Sequence, residues 1–446
     1  MNLNFLKVEE PGLDEIDSFV RKHFSFPLLV ERKVERILDR IKKYGDKALV
    51  KLLKKYDKFK VSDVRDIFLT EKEKEVGYEI AEKNYPELLK AINLSYQNIK
   101  LYHENQLRNG LRSWSFSSNG KKLGQILNPI QRVGVYIPGG RYIYPSSVLM
   151  TVVPAIVAGV EEIAICTPPK RDGSINEVLL YLFSMLGISE VYKMGGAHAI
   201  GALAYGTETI SRVDKIVGPG NIYVTIAKKK VMGVVGIDGL AGPSEIVILS
   251  DKTANPRFVA SDLISQAEHD PDAVSILVST DKDFAFKVIY EIGEEIGRIS
   301  RLPNSRNNVK IILDSLKKNC KIFFQPDIEL AVEICNRIAP EHLEIMTENP
   351  ESEARKIKNA GAIFLGNYTP VAAGDYTCGT NHVIPTGGTA RFSSPLGVYD
   401  FLKISSIAFY DRISLEREKK QIEFLSDFEG LIAHKNSIRV RFESLE

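Results

Sequence analysis

In the stretch SQAEHDPD (265–272), Gln266 and His269 stand three residues apart at the end of a segment with helical periodicity. Residues three apart share a helix face, so an amide oxygen and a neutral imidazole nitrogen would project together, a pair that a borderline metal ion can take. The preceding apolar residues Phe258, Val259, Leu263 and Ile264 form one stripe, and Pro271 stops the helix. Glu268 would face away from such a metal. A histidine at a helix end is more often structural than a ligand, so the weight of the metal reading rests on where the other histidines fall.

Of seven histidines, four lie in polar or glycine-rich turns of the second half: His269, His342, His382 and His434. His342 follows Glu341 in IAPEHLEI, where the two would point to opposite sides of a strand unless a turn splays them. Asp375 and His382 share the Gly-, Thr- and Asn-rich loop 374–388, in which Asp375 reads equally well as a turn-forming residue. A His, Asp and amide-oxygen set suits Zn²⁺, with Mn²⁺ or Co²⁺ as substitutes, and does not suit copper or an iron–sulfur cluster. In GPGNIY, Gly218 and Gly220 are present but Tyr223 stands where a dinucleotide fingerprint needs its third glycine. Residue chemistry alone therefore leaves a metal-dependent hydrolase and a metal-dependent oxidoreductase both open.

The elements that must hold these residues follow from periodicity. A chain of 446 residues buries at least two cores. Residues 1–26 read as a helical arm and 27–107 as amphipathic helices, with His23 and His103 both facing solvent. From Val133 strands and helices alternate, with turns PGG, MGG and GPGN at the carboxyl ends of strands, the pattern of a parallel doubly wound sheet. After Gly239 the alternation resumes through AGPSEIVILS (241–250), AVSILVST, a helix near 282–296, NNVKIILD (307–314) as a strand, a helix at 327–337, EHLEIMT and GAIFLG, a second such unit. The tail after Leu396 returns to helix, broken by ISSIAFYD.

Charge is balanced, 59 Lys and Arg against 57 Asp and Glu, which argues against a nucleic-acid stripe, and Lys228, Lys229 and Lys230 read as a solvated helix face. Four widely spaced cysteines argue against a disulfide framework and fit a reducing cytoplasm. The start lacks a signal-peptide pattern and no stretch is apolar enough for the membrane, so an unexported protein is expected.

Together, RVGVYIPGG, GTETISRVDKIVGPGNIYVTIAK, AGPSEIVIL, DLISQAEHDPD, NRIAPEHLEI, GAIFLGNYTPVAAGDYTCGTNHVIPTGGTARFSSPLGVYDFLK and EGLIAHKNSIRVR, in that order, resemble histidinol dehydrogenase from about residue 30 to the tail. The resemblance implies oxidation of L-histidinol to L-histidine through a bound aldehyde with two NAD⁺. It implies one Zn²⁺ per subunit on Gln266, His269, Asp375 and His434, and an acid/base pair of Glu341 and His342. Substrate contacts would further include Ser244, His382 and Glu429, and NAD contacts Tyr136, His198 and Asn221, although the family usually has Gln where this chain has His198. It also implies two incomplete Rossmann-like units, one of 27–134 with 244–396 and one of 135–243 on the NAD side. The tail, 397–446, would swap into the partner of a homodimer, bringing Glu429 and His434 to the neighbouring site.

Overall fold

The structure is a computed structural model and describes residues 3–22, 27–139 and 142–443. The chain opens with strand β1 (Val8–Glu9) and helix α1 (Leu13–Lys22), followed by α2 (Leu28–Tyr56), α3 (Glu71–Asn84) and α4 (Pro86–Asn109). A hairpin of β2 (Trp114–Ser118) and β3 (Lys121–Pro129) leads into β4 (Arg132–Tyr136). Alternation then runs α5 (Pro145–Ala158), β5 (Glu162–Thr167), α6 (Glu177–Met185), β6 (Glu190–Lys193), α7 (Gly196–Tyr205), β7 (Lys215–Val217), α8 (Ile222–Val231) and β8 (Gly236–Ile237). The next run is β9 (Glu245–Ser250), α9 (Pro256–Ala267), β10 (Val274–Ser279), α10 (Lys282–Ile299), α11 (Arg306–Asn319), β11 (Cys320–Phe324) and α12 (Ile328–Ile338). It continues with β12 (His342–Met346), α13 (Pro350–Ala354), β13 (Ala362–Leu365) and α14 (Val371–Tyr376). The tail comprises β14 (Leu402–Tyr410), α15 (Arg412–Phe428) and α16 (Ile432–Arg439).

The expected α/β architecture with parallel sheets is present. One sheet has the order β6-β5-β4-β7-β8 and the other β1-β11-β10-β9-β12-β13, every pairing parallel. Parallel strands buried on both faces need apolar side chains on both, and β9 and β10 are buried at every residue. On the five-stranded sheet one core joins α3–α6 and another joins α2, α7 and α8. On the six-stranded sheet α9–α11 cover one face and α1 with α12 the other. A third, antiparallel sheet, β14-β3-β2, stands apart.

Several expectations need correcting. The helices of 27–134 do not group with 244–396: α2 packs on α7 and α8, α3 on α6 and α4 on α5, all on the five-stranded sheet, and β4 spans the expected boundary. The arm is not only helical, because β1 adds an edge strand beside β11. Residues 307–314 form part of α11, since Val309, Ile312, Leu313 and Leu316 make a helical stripe that becomes visible only when the window reaches Leu316. ISSIAFYD does break the helical tail, as the end of strand β14 with Asp411 capping α15. His103 is fully buried, its Nδ1 3.0 Å from Gln106 Oε1, because it falls on the face of α4 turned to the core. Lys228 is 3% exposed and paired with Asp238, so only part of the lysine run is solvated. His23 and Gly140 of the PGG turn lie outside the described residues. Among the described residues no helix is long and apolar enough to cross a membrane, and the four cysteines are unpaired.

Candidate active site

The chain leaves β8 at its carboxyl end and enters β9 at its amino end through residues 238–244 alone. That short crossing sets the carboxyl edge of the five-stranded sheet opposite the amino edge of the six-stranded one. Most of the candidate residues lie along these two facing edges.

On the six-stranded side the chemistry gathers at the starts of β9 and β12, neighbours in the sheet. Glu341 immediately precedes β12, in the bend after the left-handed Ala339 (φ 52°) and Pro340. That bend answers the splay question: Glu341 Oε2 lies 3.6 Å from His342 Nδ1, so both side chains enter one space. Glu245 locks the pair. Its N–H donates to Glu341 Oε2 at 2.8 Å, its Oε1 accepts from the N–H of Glu341 at 3.3 Å and of Gly387 at 2.9 Å, and its carbonyl lies 3.1 Å from His342 Nδ1. A carbonyl only accepts, so Nδ1 carries the hydrogen and the neutral ring presents Nε2 as a base. His342 Nε2 is buried with no partner.

Helix α9 runs back from the carboxyl end of β9, so its own carboxyl end brings Gln266 and His269 to the same edge. Gln266 is 2% exposed with its amide nitrogen unpartnered. Leaving such a group unpaired costs about 1–3 kcal/mol, which marks a space that something polar occupies in the working protein. Asp375 sits on α14, whose first N–H, that of Val371, is held at 2.8 Å by Glu344 Oε1 from β12. His382 is tied to the same short helix, with Nδ1 3.1 Å from the Asp375 carbonyl and 3.9 Å from its Oδ1. Half-buried Ser244 precedes Glu245.

Burial dominates the electrostatics. It lowers His342 and His382 to about 4, with His269 repelling both and His382 also repelling His342, and it lowers His269 too although that residue keeps solvent access. Burial pushes Asp375 up to about 6 and Glu245 to about 7. Glu341 is raised well above the ordinary range by burial and then by the charges of Glu245 and Asp375. The site thus holds three neutral imidazoles, fit to ligate or accept protons, beside carboxyls whose ionisation a cation would favour. The carboxyl end of α9 carries the negative end of its dipole, which favours a cation there as well.

On the five-stranded side the chain switches direction at β4, with β5 and β6 to one side and β7 and β8 to the other. Ligands of open α/β sheets bind outside such a switch point. The glycine turns there approach other backbone closely: a Cβ on Gly218 (φ 112°) would lie 2.2 Å from the Tyr136 carbonyl oxygen, and one on Gly195 2.8 Å from Pro168 Cβ. Buried Lys228 and Asp238 clamp Gly218, Lys228 Nζ donating to its carbonyl at 3.0 Å and Asp238 Oδ2 accepting from its N–H at 2.7 Å. Asn221 is exposed at the start of α8, its Oδ1 capping the N–H groups of Tyr223 and Val224, so its amide hydrogens point elsewhere. Tyr136 and His198 are buried, at 3% and 2% exposure.

Glu429 and His434 are not brought to this site within the chain. Both are exposed on the tail, Glu429 ending α15 and His434 on α16, which packs on α15. Among the described residues no group of three His, Cys, Asp or Glu side chains is already arranged around a metal position. Residue typing missed Glu245, Asp57 and Asp238, since an acidic residue beside a strand or a helix end gives no sign of its partner far along the chain.

The family model described as histidinol dehydrogenase matches residues 23–442. A histidinol dehydrogenase of Clostridium acetobutylicum is 47% identical over 413 residues, 92% of each chain, and one of Lactococcus lactis subsp. lactis is 44% identical over 417 residues, covering 93% of this chain and 94% of its own. The crystal structure of histidinol dehydrogenase from Elizabethkingia anophelis superposes with a TM-score of 0.89 at 35% identity over 99% of both chains.

Proposed function

This chain belongs to the histidinol dehydrogenase family and oxidises L-histidinol to L-histidine, and we propose that it does so with NAD⁺ as acceptor and a site zinc. The hydrolase alternative falls with the family assignment. Gln266, His269 and Asp375 would hold the zinc together with the partner subunit's His434. The donor set fits: a neutral imidazole, a carboxylate that a cation would keep ionised, and the oxygen of a buried carboxamide, at a helix carboxyl end. When bound, zinc would orient the substrate's imidazole and amino nitrogens, while the dinucleotide would supply the hydride acceptor.

The chain's own residues handle the protons. In the first oxidation the carbinol carbon gives up a hydride while His342 Nε2 takes the hydroxyl proton, the carbonyl of Glu245 holding the ring in the required tautomer. Glu341 then removes a proton from the water that adds to the aldehyde, and a second hydride leaves the hydrate to give the acid. Burial makes Glu341 the stronger base of the two once ionised. Ser244 and His382 would contact the substrate, and Asn221 would offer its free amide hydrogens to the dinucleotide.

The observation that carries this reading is the buried, unpartnered Nε2 of His342 with Nδ1 bound to a carbonyl and Glu341 alongside. A homodimer with shared sites is supported by the tail, which leaves Phe424, Phe428 and Ile432 73–93% exposed, a patch that needs a cover. The unpaired cysteines support a cytoplasmic setting. Absorbance at 340 nm with histidinol and NAD⁺ tests the whole: about two NADH per histidinol, abolished by a chelator and by His342→Ala, is the expected result. No NADH from folded, zinc-loaded enzyme overturns it.

A further inference from the structure

We propose that His198 serves the dinucleotide from behind the binding turn, as one half of a positioning pair with Asp57, rather than by touching the dinucleotide. The inference rests on the NAD⁺ reading above and assigns a role to Asp57, which ends α2.

His198 Nε2 lies 2.6 Å from Asp57 Oδ2, and the two side chains are 2% and 5% exposed. The other carboxylate oxygen, Oδ1, accepts from the N–H of Gly195 at 3.1 Å. Asp57 therefore spends one oxygen on the turn after β6 and the other on the helix that follows it. The Tyr56 ring stacks on the His198 ring with centroids 5.9 Å apart at 24°. The next N–H of the turn, that of Gly196, donates to the Tyr136 hydroxyl at 3.0 Å.

Both N–H groups of Gly195–Gly196 are thus consumed by side chains lying beneath them. The turn admits no side chain of its own that could take over the anchoring, because Gly196 sits at φ 68° and a Cβ on Gly195 would lie 2.8 Å from Pro168 Cβ. A carboxylate at the amino end of α7 also meets the positive end of the helix dipole, which favours Asp57 staying where it is. The imidazole's contribution is to hold the second oxygen, so that the carboxylate cannot rotate away from Gly195. A side chain that donates one N–H over the same reach does this equally well, whereas an apolar one leaves a buried carboxylate oxygen unpaired. His198 and Asp57 are positioning residues on this account, and they act as a unit.

The test is the Kd for NAD⁺ measured calorimetrically on the full-length enzyme, with the Kd for histidinol and the thermal midpoint recorded beside it. His198→Ala and Asp57→Ala should each weaken NAD⁺ roughly tenfold or more, as the loss of a charge-assisted hydrogen bond predicts. The double variant should be no weaker than the worse single within about threefold, because the two residues form one device. His198→Gln, which still donates to Asp57, should stay within about threefold of the parent, and histidinol affinity should not change in any variant. Asp57→Asn keeps the volume and one acceptor, and should weaken NAD⁺ about fivefold if the alanine variant proves too unstable to titrate.

Parent-like NAD⁺ binding in Asp57→Ala or Asp57→Asn, with binding lost in His198→Ala, means that His198 touches the dinucleotide directly and overturns the inference. Additive losses in the double variant overturn it as well. A parent enzyme that binds no NAD⁺ fails at the earlier step and removes the cofactor reading itself.

Discussion

Replacing His342 with Asn removes the proposed base, and the pH dependence of the parent tests why that base works. An imidazole in water has a pKa of about 6.5, so in ordinary surroundings only ~3% of it would be neutral at about pH 5. Burial, helped by the imidazoles of His269 and His382, brings His342 to about 4. At about pH 5 roughly 90% of the base is then still neutral, a difference of about thirtyfold in active enzyme. A cation at the site would push the imidazolium out further, so metal loading strengthens the expectation. The assay is the single-turnover formation of the first NADH at saturating histidinol and NAD⁺, where protonation of free substrate drops out. The parent rate should fall by less than about twofold between about pH 8 and 5, and His342→Asn should lose about 10²–10⁴ throughout. A limb centred near 6.5 that disappears in His342→Asn would refute the burial argument, and a parent-like rate in the variant would refute the base.

Other consequences are more direct. His269→Ala and Gln266→Ala should lower the zinc content of the purified protein at least about tenfold by elemental analysis, while parent-like content would remove them from the ligand set. Mixing His342→Ala with His434→Ala subunits should restore about one quarter of parent activity after exchange, since half the dimers are mixed and one of their two sites has both residues intact. No recovery would mean that the tail serves its own subunit. Gly218→Ala should destabilise the protein by at least about 1 kcal/mol and weaken NAD⁺, because φ is 112° and the added Cβ meets the Tyr136 carbonyl at 2.2 Å. In metal-free protein, the stability tied to the lowered His342 and His382 is complete above about pH 6.5 and is lost as pH falls toward 4. Glu245 and Glu341, being raised, lose theirs as pH climbs from about 4.5, Glu245 up to about 7 and Glu341 further. Above about pH 7 the thermal midpoint should therefore drop through Glu341, and Glu341→Gln should flatten that drop, while Glu245→Gln should change the slope only below about pH 7; a flat parent profile above about pH 7 would contradict the Glu341 shift.

What could be read from the sequence was whatever a local pattern encodes. Strands β5, β9 and β10 are largely apolar runs because both faces are buried, and α9 carries its own stop signal, so the frame around Gln266 and His269 was legible. The hairpin β2–β3 was not, although Asn119 and Gly120 form its left-handed turn, because its strands show no buried face and hence no alternation to detect. β11 was hidden behind α11, with no glycine or proline to separate them. The proposed acid/base pair was visible as residues, but Glu245, which fixes its tautomer and geometry, lies 96 positions away from Glu341 and enters only through strand pairing.

The two sheet edges also explain why one chain can gather such different ligands. In a parallel α/β sheet each helix starts at the carboxyl edge and ends at the amino edge, so the first edge collects positive helix ends and the second negative ones. The five-stranded sheet offers its carboxyl edge, where α8 begins, which suits the anionic dinucleotide of the proposed reaction. The six-stranded sheet offers its amino edge, where α9 ends beside His269 and α12 ends just before Glu341. Negative helix ends there favour a metal cation and disfavour an ionised Glu341, which raises that carboxylate's affinity for a proton. Seven residues, 238–244, hold the edges face to face, and a chain that used the carboxyl edges of both sheets would bring two anion sites together and leave the cation without one.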